Sequence, residues 1–185
     1  MGEQFEKIEM LDVFTRDGRR IGEKSYKDCH AGTPGEYHKP AWIWIINSNN
    51  EILIQKRAST KTNNPDKWDM PSAGHIEAGE KPIEGAIRET EEELGIETKE
   101  EDYKFICEYI WDETFEIAQV YLMHLDAKVE DFRLKESEVS EIKWVSFDEF
   151  KEIFYSDDFV PFKDDYKKLV IGLFERELQL EEERE

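Results

Sequence analysis

The chain has 185 residues, 38 % of them apolar, including 11 Phe, 7 Tyr and 5 Trp, which is enough for a single domain over 1–185 with a sizeable core. Its 25 basic against 45 acidic residues leave a net charge of −20, which sets the chain against the phosphate backbone of nucleic acids. Two cysteines, Cys29 and Cys107, are too few for a disulfide framework. With no secretory signal at the amino terminus and no apolar run of membrane-spanning length, they read as reduced thiols in a cytoplasmic protein without a membrane partner.

In chain order, residues 8–15 mix apolar and polar side chains and are followed by Arg16-Asp17-Gly18, which predicts a strand and a hairpin turn. Residues 28–40 contain Gly32, Pro34, Gly35 and Pro40 and read as a loop. Residues 41–46, Ala-Trp-Ile-Trp-Ile-Ile, predict a strand buried on both faces. Asn47-Ser48-Asn49-Asn50 predicts the turn to a hairpin partner over 51–57. Residues 58–67 are polar and irregular. From 82 to 94 the pattern becomes helical, with Pro82 suited to the first turn and Gly95 to the position just past the end. Strands are predicted over 103–111, 117–125 and 142–145, and a short helix over 147–155. A longer helix is predicted over 162–180, where Tyr166, Leu169, Val170, Leu173 and Phe174 recur at helical spacing. The tail 181–185 reads as a solvated, fraying charge run. This order predicts an α/β (α+β) fold, a mixed sheet covered by helices on both faces.

The stretch that carries chemistry runs from Gly74 to Ile96, GHIEAGEKPIEGAIRETEEELGI. On a helix Glu89, Glu92 and Glu93 fall at i, i+3 and i+4 and share one face. Ile83, Ala86, Ile87, Thr90 and Leu94 form the neighbouring stripe that can dock on the sheet. Three clustered carboxylates repel one another unless a hard divalent cation binds between them, and Mg²⁺ prefers such oxygen ligands while keeping positions open for phosphates. A run of glutamates alone would be read as solvated surface. The punctuation around it says otherwise.

Gly74, five residues, Glu80, seven residues, then Arg88-Glu89-Thr90-Glu91-Glu92-Glu93-Leu94-Gly95-Ile96 is similar to the signature box of the Nudix hydrolases. Thr90, at a usually aliphatic position, is the one departure. The resemblance implies an α/β/α sandwich and Mg²⁺- or Mn²⁺-dependent cleavage of a diphosphate linkage in a small phosphorylated, nucleoside-diphosphate-type substrate. It implies that Glu89, Glu92 and Glu93 are metal ligands, with the backbone carbonyl of Ala73 as a further one. Either Glu89 or Glu93 would be the general base. Arg88 would orient a catalytic carboxylate, Glu80 would be its structural ion-pair partner, and Gly74 and Gly95 would shape the box.

A second resemblance, to type 1 isopentenyl diphosphate isomerases, rests on His30 and His38 before the 41–46 strand, on Trp68-Asp69-Met70-Pro71-Ser72-Ala73-Gly74-His75, and on Glu116 before Ile117. It implies a metal site built from His30, His38, His75 and Glu116. The His30–His38 spacing is one residue off, so His30 is the weakest match. The isomerases need a cysteine where this chain has Ala73, and they lack the full Arg-Glu-U-X-Glu-Glu run kept here. Hydrolysis is therefore the expected reaction. An isomerase-like enzyme and a catalytically silent ligand-binding domain are the alternatives. His124 has no supporting pattern and is expected to be structural.

For the diphosphate, Arg57 at a strand end and Lys61 and Lys67 in the following loop are candidate cations. Trp42, Trp44 and Trp68 could stack a base, although strand tryptophans more often fill the core. The leaving group and the oligomeric state, a homodimer included, are not legible.

Overall fold

The computed structural model describes residues 8–182 and, of those, the side chains through residue 179. The described elements are β1 (Met10–Phe14), β2 (Arg20–Ser25), α1 (Tyr26–His30), β3 (Pro40–Ile46), β4 (Glu51–Arg57), β5 (Trp68–Asp69), β6 (Ser72–His75), α2 (Pro82–Leu94), β7 (Tyr103–Trp111), β8 (Glu116–His124), β9 (Val139–Ser146), α3 (Phe147–Phe154) and α4 (Asp164–Glu182). Glu182 of the acidic tail is thus still helical, and 183–185 lie outside the described residues.

Strand β3 is the axis. All seven of its residues are buried, and β8 runs parallel beside it from Ala41↔Gln119 to Ile46↔His124. Side chains alternate along a strand, so Trp42, Trp44 and Ile46 join the core under α3 and α4, while Ala41, Ile43 and Ile45 join the core under α2. Both faces are covered, which is the expected α/β/α sandwich with a mixed sheet. On the α4 side Trp44, fully buried, donates its indole N–H to the Tyr166 hydroxyl at 3.0 Å and meets Phe150, Phe154 and Phe174 edge-on. The tryptophans are therefore structural. Trp42 and Trp44 lie in this core, and Trp68 packs against its edge.

The predicted β3–β4 hairpin does form, but it opens. The two strands meet at Ile46↔Ile52. Further along, β6 pairs with β3 (Pro40↔His75 to Ile43↔Ser72) and β5 pairs with β4. Residues 68–75 fill this fork, and the short β6 had no periodicity long enough to predict it. Strand β9 is longer than expected because it pairs along the whole of β4.

Helix α2 begins and ends where the sequence places it. Glu84 accepts from the Lys81 N–H at 3.0 Å, and Pro82 occupies the first turn. Ala86, Thr90 and Leu94 are buried, and the Thr90 hydroxyl donates to the Ala86 carbonyl at 2.8 Å, so the departure from an aliphatic residue costs no unpaired polar group. Gly95 closes the helix at φ +63° and donates to the Glu91 carbonyl at 2.9 Å.

The amino-terminal hairpin β1–β2 forms as expected and docks on the box loop. The Ala78 N–H donates to Met10 O at 2.7 Å and the Gly79 N–H to Asp12 Oδ2 at 3.1 Å. Residues 28–30, expected in a loop, instead close α1, whose cap is the Ser25 hydroxyl accepting from the Asp28 N–H.

A Cβ on residue 95 would collide with the Arg133 carbonyl, so this position needs glycine for space as well as for φ. Gly95→Ala is expected to destabilise the fold by about 2 kcal/mol or more, read as a lower urea midpoint at unchanged m-value. A wild-type midpoint would contradict the tight approach of the 129–138 loop to α2.

Candidate active site

The site grows out of the fork. Strand β6 lays Ala73, Gly74 and His75 beside the carboxylate face of α2, and a cavity of about 570 Å³ opens there, lined by Ala73, Gly74, His75, Arg88, Glu89, Glu92 and Glu93, with Glu116 on its margin. A Cβ on residue 74 would fall on the Glu89 carboxylate itself. Glycine is required because the carboxylate rests on bare backbone.

Arg88 holds the wall together. It grips Glu80 with two bonds, Nε to Oε1 and Nη2 to Oε2, each 3.0 Å, and donates from Nη2 to the His75 carbonyl at 2.7 Å and from Nη1 to Glu89 Oε1 at 2.8 Å. Glu92 lies 3.6 Å from Nη1. Burial opposes the guanidinium charge, but Glu80 and Glu89 outweigh it and raise its pKa. Glu80 also accepts from the Glu77 N–H at 2.9 Å, so one ion pair fixes both the loop and the helix.

The two inner carboxylates differ. Burial pushes Glu89 up from its ordinary value, and Arg88 pulls back against it. Burial pushes Glu93 to about 8, against the opposing bond from the Ala73 N–H at 3.1 Å and with further upward pressure from Glu89. Oxygen donors whose ionisation is disfavoured at this density fit a hard divalent cation, which would supply the missing positive charge.

The histidines converge beside them. His30 Nε2 and His75 Nε2 lie 3.0 Å apart, and one ring nitrogen from each of His30, His38 and His75 falls within 4.8 Å of the others. His38 is 1 % exposed, and its Nε2 has no hydrogen-bond partner but faces Glu116 Oε1 at 3.6 Å. Burial lowers His75 to about 3 and, with the charge of His38, lowers His30. Neutral imidazoles are the ligating form. His30, the weakest match by spacing, is brought in by α1, which the sequence did not reveal. His124 is elsewhere, 3.6 Å from the buried Glu177.

Arg57 lines the cavity but is committed to Asp69 at 2.9 Å and to the Asn63 carbonyl at 3.1 Å. Lys61 lines it in an ion pair with Glu138. Lys67 does not belong to it. Its Nζ donates to the Asp157 carbonyl at 2.7 Å, because the strand it precedes is tied to the 157–160 segment. Trp42, Trp44 and Trp68 are likewise absent from the cavity lining, where Tyr26 is the aromatic residue. Gln55, Lys135 and Glu138 also line it. Gln55, two residues before Arg57 on β4, shares its face and was recoverable by strand periodicity; Lys135 and Glu138 sit in an irregular loop that gives no such signal.

Comparison with known proteins agrees with this geometry. The NUDIX domain model matches residues 36–166. Nudix hydrolase 3 of Arabidopsis thaliana is 32 % identical over 169 residues, covering 83 % of this chain, while the chain spans only 22 % of that plant protein. A Nudix hydrolase of Clostridium acetobutylicum is 30 % identical over 201 residues, covering 88 % of this chain and 95 % of its own length. An isopentenyl-diphosphate delta-isomerase of Gibberella zeae is 30 % identical over 183 residues, covering 83 % of this chain and 71 % of that protein. A solved structure from Deinococcus radiodurans superposes with a TM-score of 0.68 over 91 % of this chain and 98 % of that one, at 19 % identity, and so shares the fold. The box on α2, the matched domain and these relatives make this chain a member of the Nudix hydrolase family.

Proposed function

We propose that this member of the family cleaves a diphosphate linkage in a small, nucleoside-diphosphate-type substrate with Mg²⁺ or Mn²⁺, through Glu89, Glu92 and Glu93. The observation that supports it best is the carboxylate wall of α2 pressed against the backbone of Gly74 in an open cavity. A cation bound there would polarise a phosphoryl oxygen and acidify a water. The three carboxylates would hold it, with the Ala73 carbonyl as a further ligand. Arg88 fixes Glu89 and offsets its charge. Glu93, held by the Ala73 N–H and not by a guanidinium, is better suited than the arginine-bound Glu89 to take the proton from an attacking water. Gly74 and Gly95 give the backbone the room this arrangement needs. Arg57 and Lys61, which line the cavity, would face the phosphates.

The histidine cluster supports a second reading. His30, His38 and His75 with Glu116 make a nitrogen-rich set suited to a softer divalent cation, as the isomerase resemblance implies. Proton transfer on carbon then needs an acid on one face of the alkene and a base on the other. Glu116 supplies one candidate group, and Ala73 carries no titratable side chain. Hydrolysis therefore remains the leading reading. A domain that only binds its ligand would show no metal-dependent turnover.

The substrate is to be found by screening nucleotide sugars, dinucleoside polyphosphates, NADH and nucleoside di- and triphosphates with Mg²⁺ or Mn²⁺. On that substrate, Glu93→Gln is expected to lower turnover about 10²-fold or more with the fold intact by circular dichroism, and EDTA to abolish activity that Mg²⁺ restores. Near-wild-type turnover, or activity that survives metal removal, would sink this assignment. Gly74→Ala displaces the Glu89 carboxylate and is expected to weaken cation binding about 10-fold or more in calorimetry; unchanged binding would show that Glu89 is not a ligand. No conversion of isopentenyl to dimethylallyl diphosphate is expected. Efficient conversion by the unmodified protein would make the isomerase reading the primary one.

A further inference from the structure

One wall of the cavity enters the chemistry above only through Lys61. Lys61, Lys135 and Glu138 line it together. The Glu138 carboxylate takes Lys61 on Oε2 in a close ion pair and faces the Lys135 ammonium from Oε1 at 3.9 Å. The backbones that carry these groups are firmly held. The Lys61 N–H donates to Ala58 O at 3.1 Å, and the Ala58 N–H donates to Glu138 O at 2.9 Å. The Arg133 N–H donates to Leu94 O at 2.9 Å and the Lys135 N–H to Glu93 O at 3.0 Å, so the loop is stitched to the last turn of the carboxylate helix. The side chains themselves stay wet, with 30 %, 47 % and 27 % of Lys61, Lys135 and Glu138 exposed.

We propose that Lys61 and Lys135 are a clamp for a substrate phosphate, and that Glu138 is the placeholder that the phosphate displaces. The inference rests on the diphosphate reading above and adds Lys135 and Glu138 to it. A carboxylate held between two ammonium groups marks a position complementary to an anion. A phosphate brings more negative charge and more acceptor oxygens to that position. The pair it must break is a partly exposed one, which is weak. The same cavity holds Glu89, Glu92 and Glu93, to which free ammonium groups would be drawn. By occupying both lysines, Glu138 keeps them from neutralising the carboxylates that the cation needs. Lysine binds as a compact point charge, so the clamp selects for phosphate charge and tolerates varied esters.

The test uses the full chain and methylenediphosphonate, a diphosphate that cannot be hydrolysed, titrated with Mg²⁺ present. Lys61→Ala and Lys135→Ala are expected to weaken its binding about tenfold each, and Glu138→Gln to tighten it several-fold, all three melting like wild type. On a turned-over diphosphate the same changes should appear in KM, with kcat within about threefold. Binding that is absent in wild type, unchanged in the lysine variants, or unchanged or weaker in Glu138→Gln would overturn the clamp. So would a large loss of kcat at constant KM in Glu138→Gln, which would put that carboxylate in the chemical step. If the variants behave as expected with the probe while wild type turns over no diphosphate, the clamp stands and the hydrolase reading falls. If diphosphates are turned over and the variants match wild type, the clamp falls alone.

Discussion

The structure depends on keeping three carboxylates together on one helix face. Like charges at this spacing repel, and partial burial adds a penalty for ionising them. The chain meets that cost with one guanidinium, because Arg88 binds Glu80 and Glu89 at once and ties the helix to the box loop through the His75 carbonyl. What it leaves uncompensated is Glu93, and that residue is the one pushed to about 8. The net deficit of positive charge at the foot of the cavity is what suits the place to a divalent cation.

Everything around this wall follows from giving it a floor. A floor of side chains would fill the space that the Glu89 carboxylate takes, so the floor is backbone, and Gly74 supplies it. The backbone of β6 can lie there because β3 and β4 part beyond Ile46 and Ile52, and a strand pairing with β3 fills the fork. The same close fit recurs at the other end of α2. Gly95 lets the 129–138 loop reach the helix terminus, and that loop carries Lys135 and Glu138 to the cavity.

The histidine cluster is assembled by a different route. His38 precedes the central strand, His75 ends β6, and His30 ends α1, which the amino-terminal hairpin holds over the box loop. The orphaned Nε2 of a histidine with 1 % exposure is costly to leave unpaired. It also brings one chain under two resemblances at once, a hydrolase carboxylate wall and an isomerase-like set of imidazoles, which meet at β6, where Gly74 backs the Glu89 carboxylate and His75 joins the imidazoles.

What the sequence determined by itself was local and periodic. Helix α2 starts and stops where Pro82 and Gly95 place it, strand β7 spans the predicted residues, and Glu89, Glu92 and Glu93 share a face, because helix caps and side-chain period act over a few residues. The resemblance of the box to the Nudix signature, not periodicity, pointed to Arg88 and Glu80. Tertiary structure decided the rest. It opened the β3–β4 hairpin, since residues 68–75 pair with both strands inside the fork. It turned Arg57, at the end of β4, toward Asp69 and carried Lys67, in the irregular segment that follows, out of the cavity, since a long cationic side chain follows the nearest oxygen. It brought in Lys135 and Glu138 from more than seventy residues beyond Lys61. Contacts between segments far apart in the chain leave no period in the sequence, and only the packed fold brings them together.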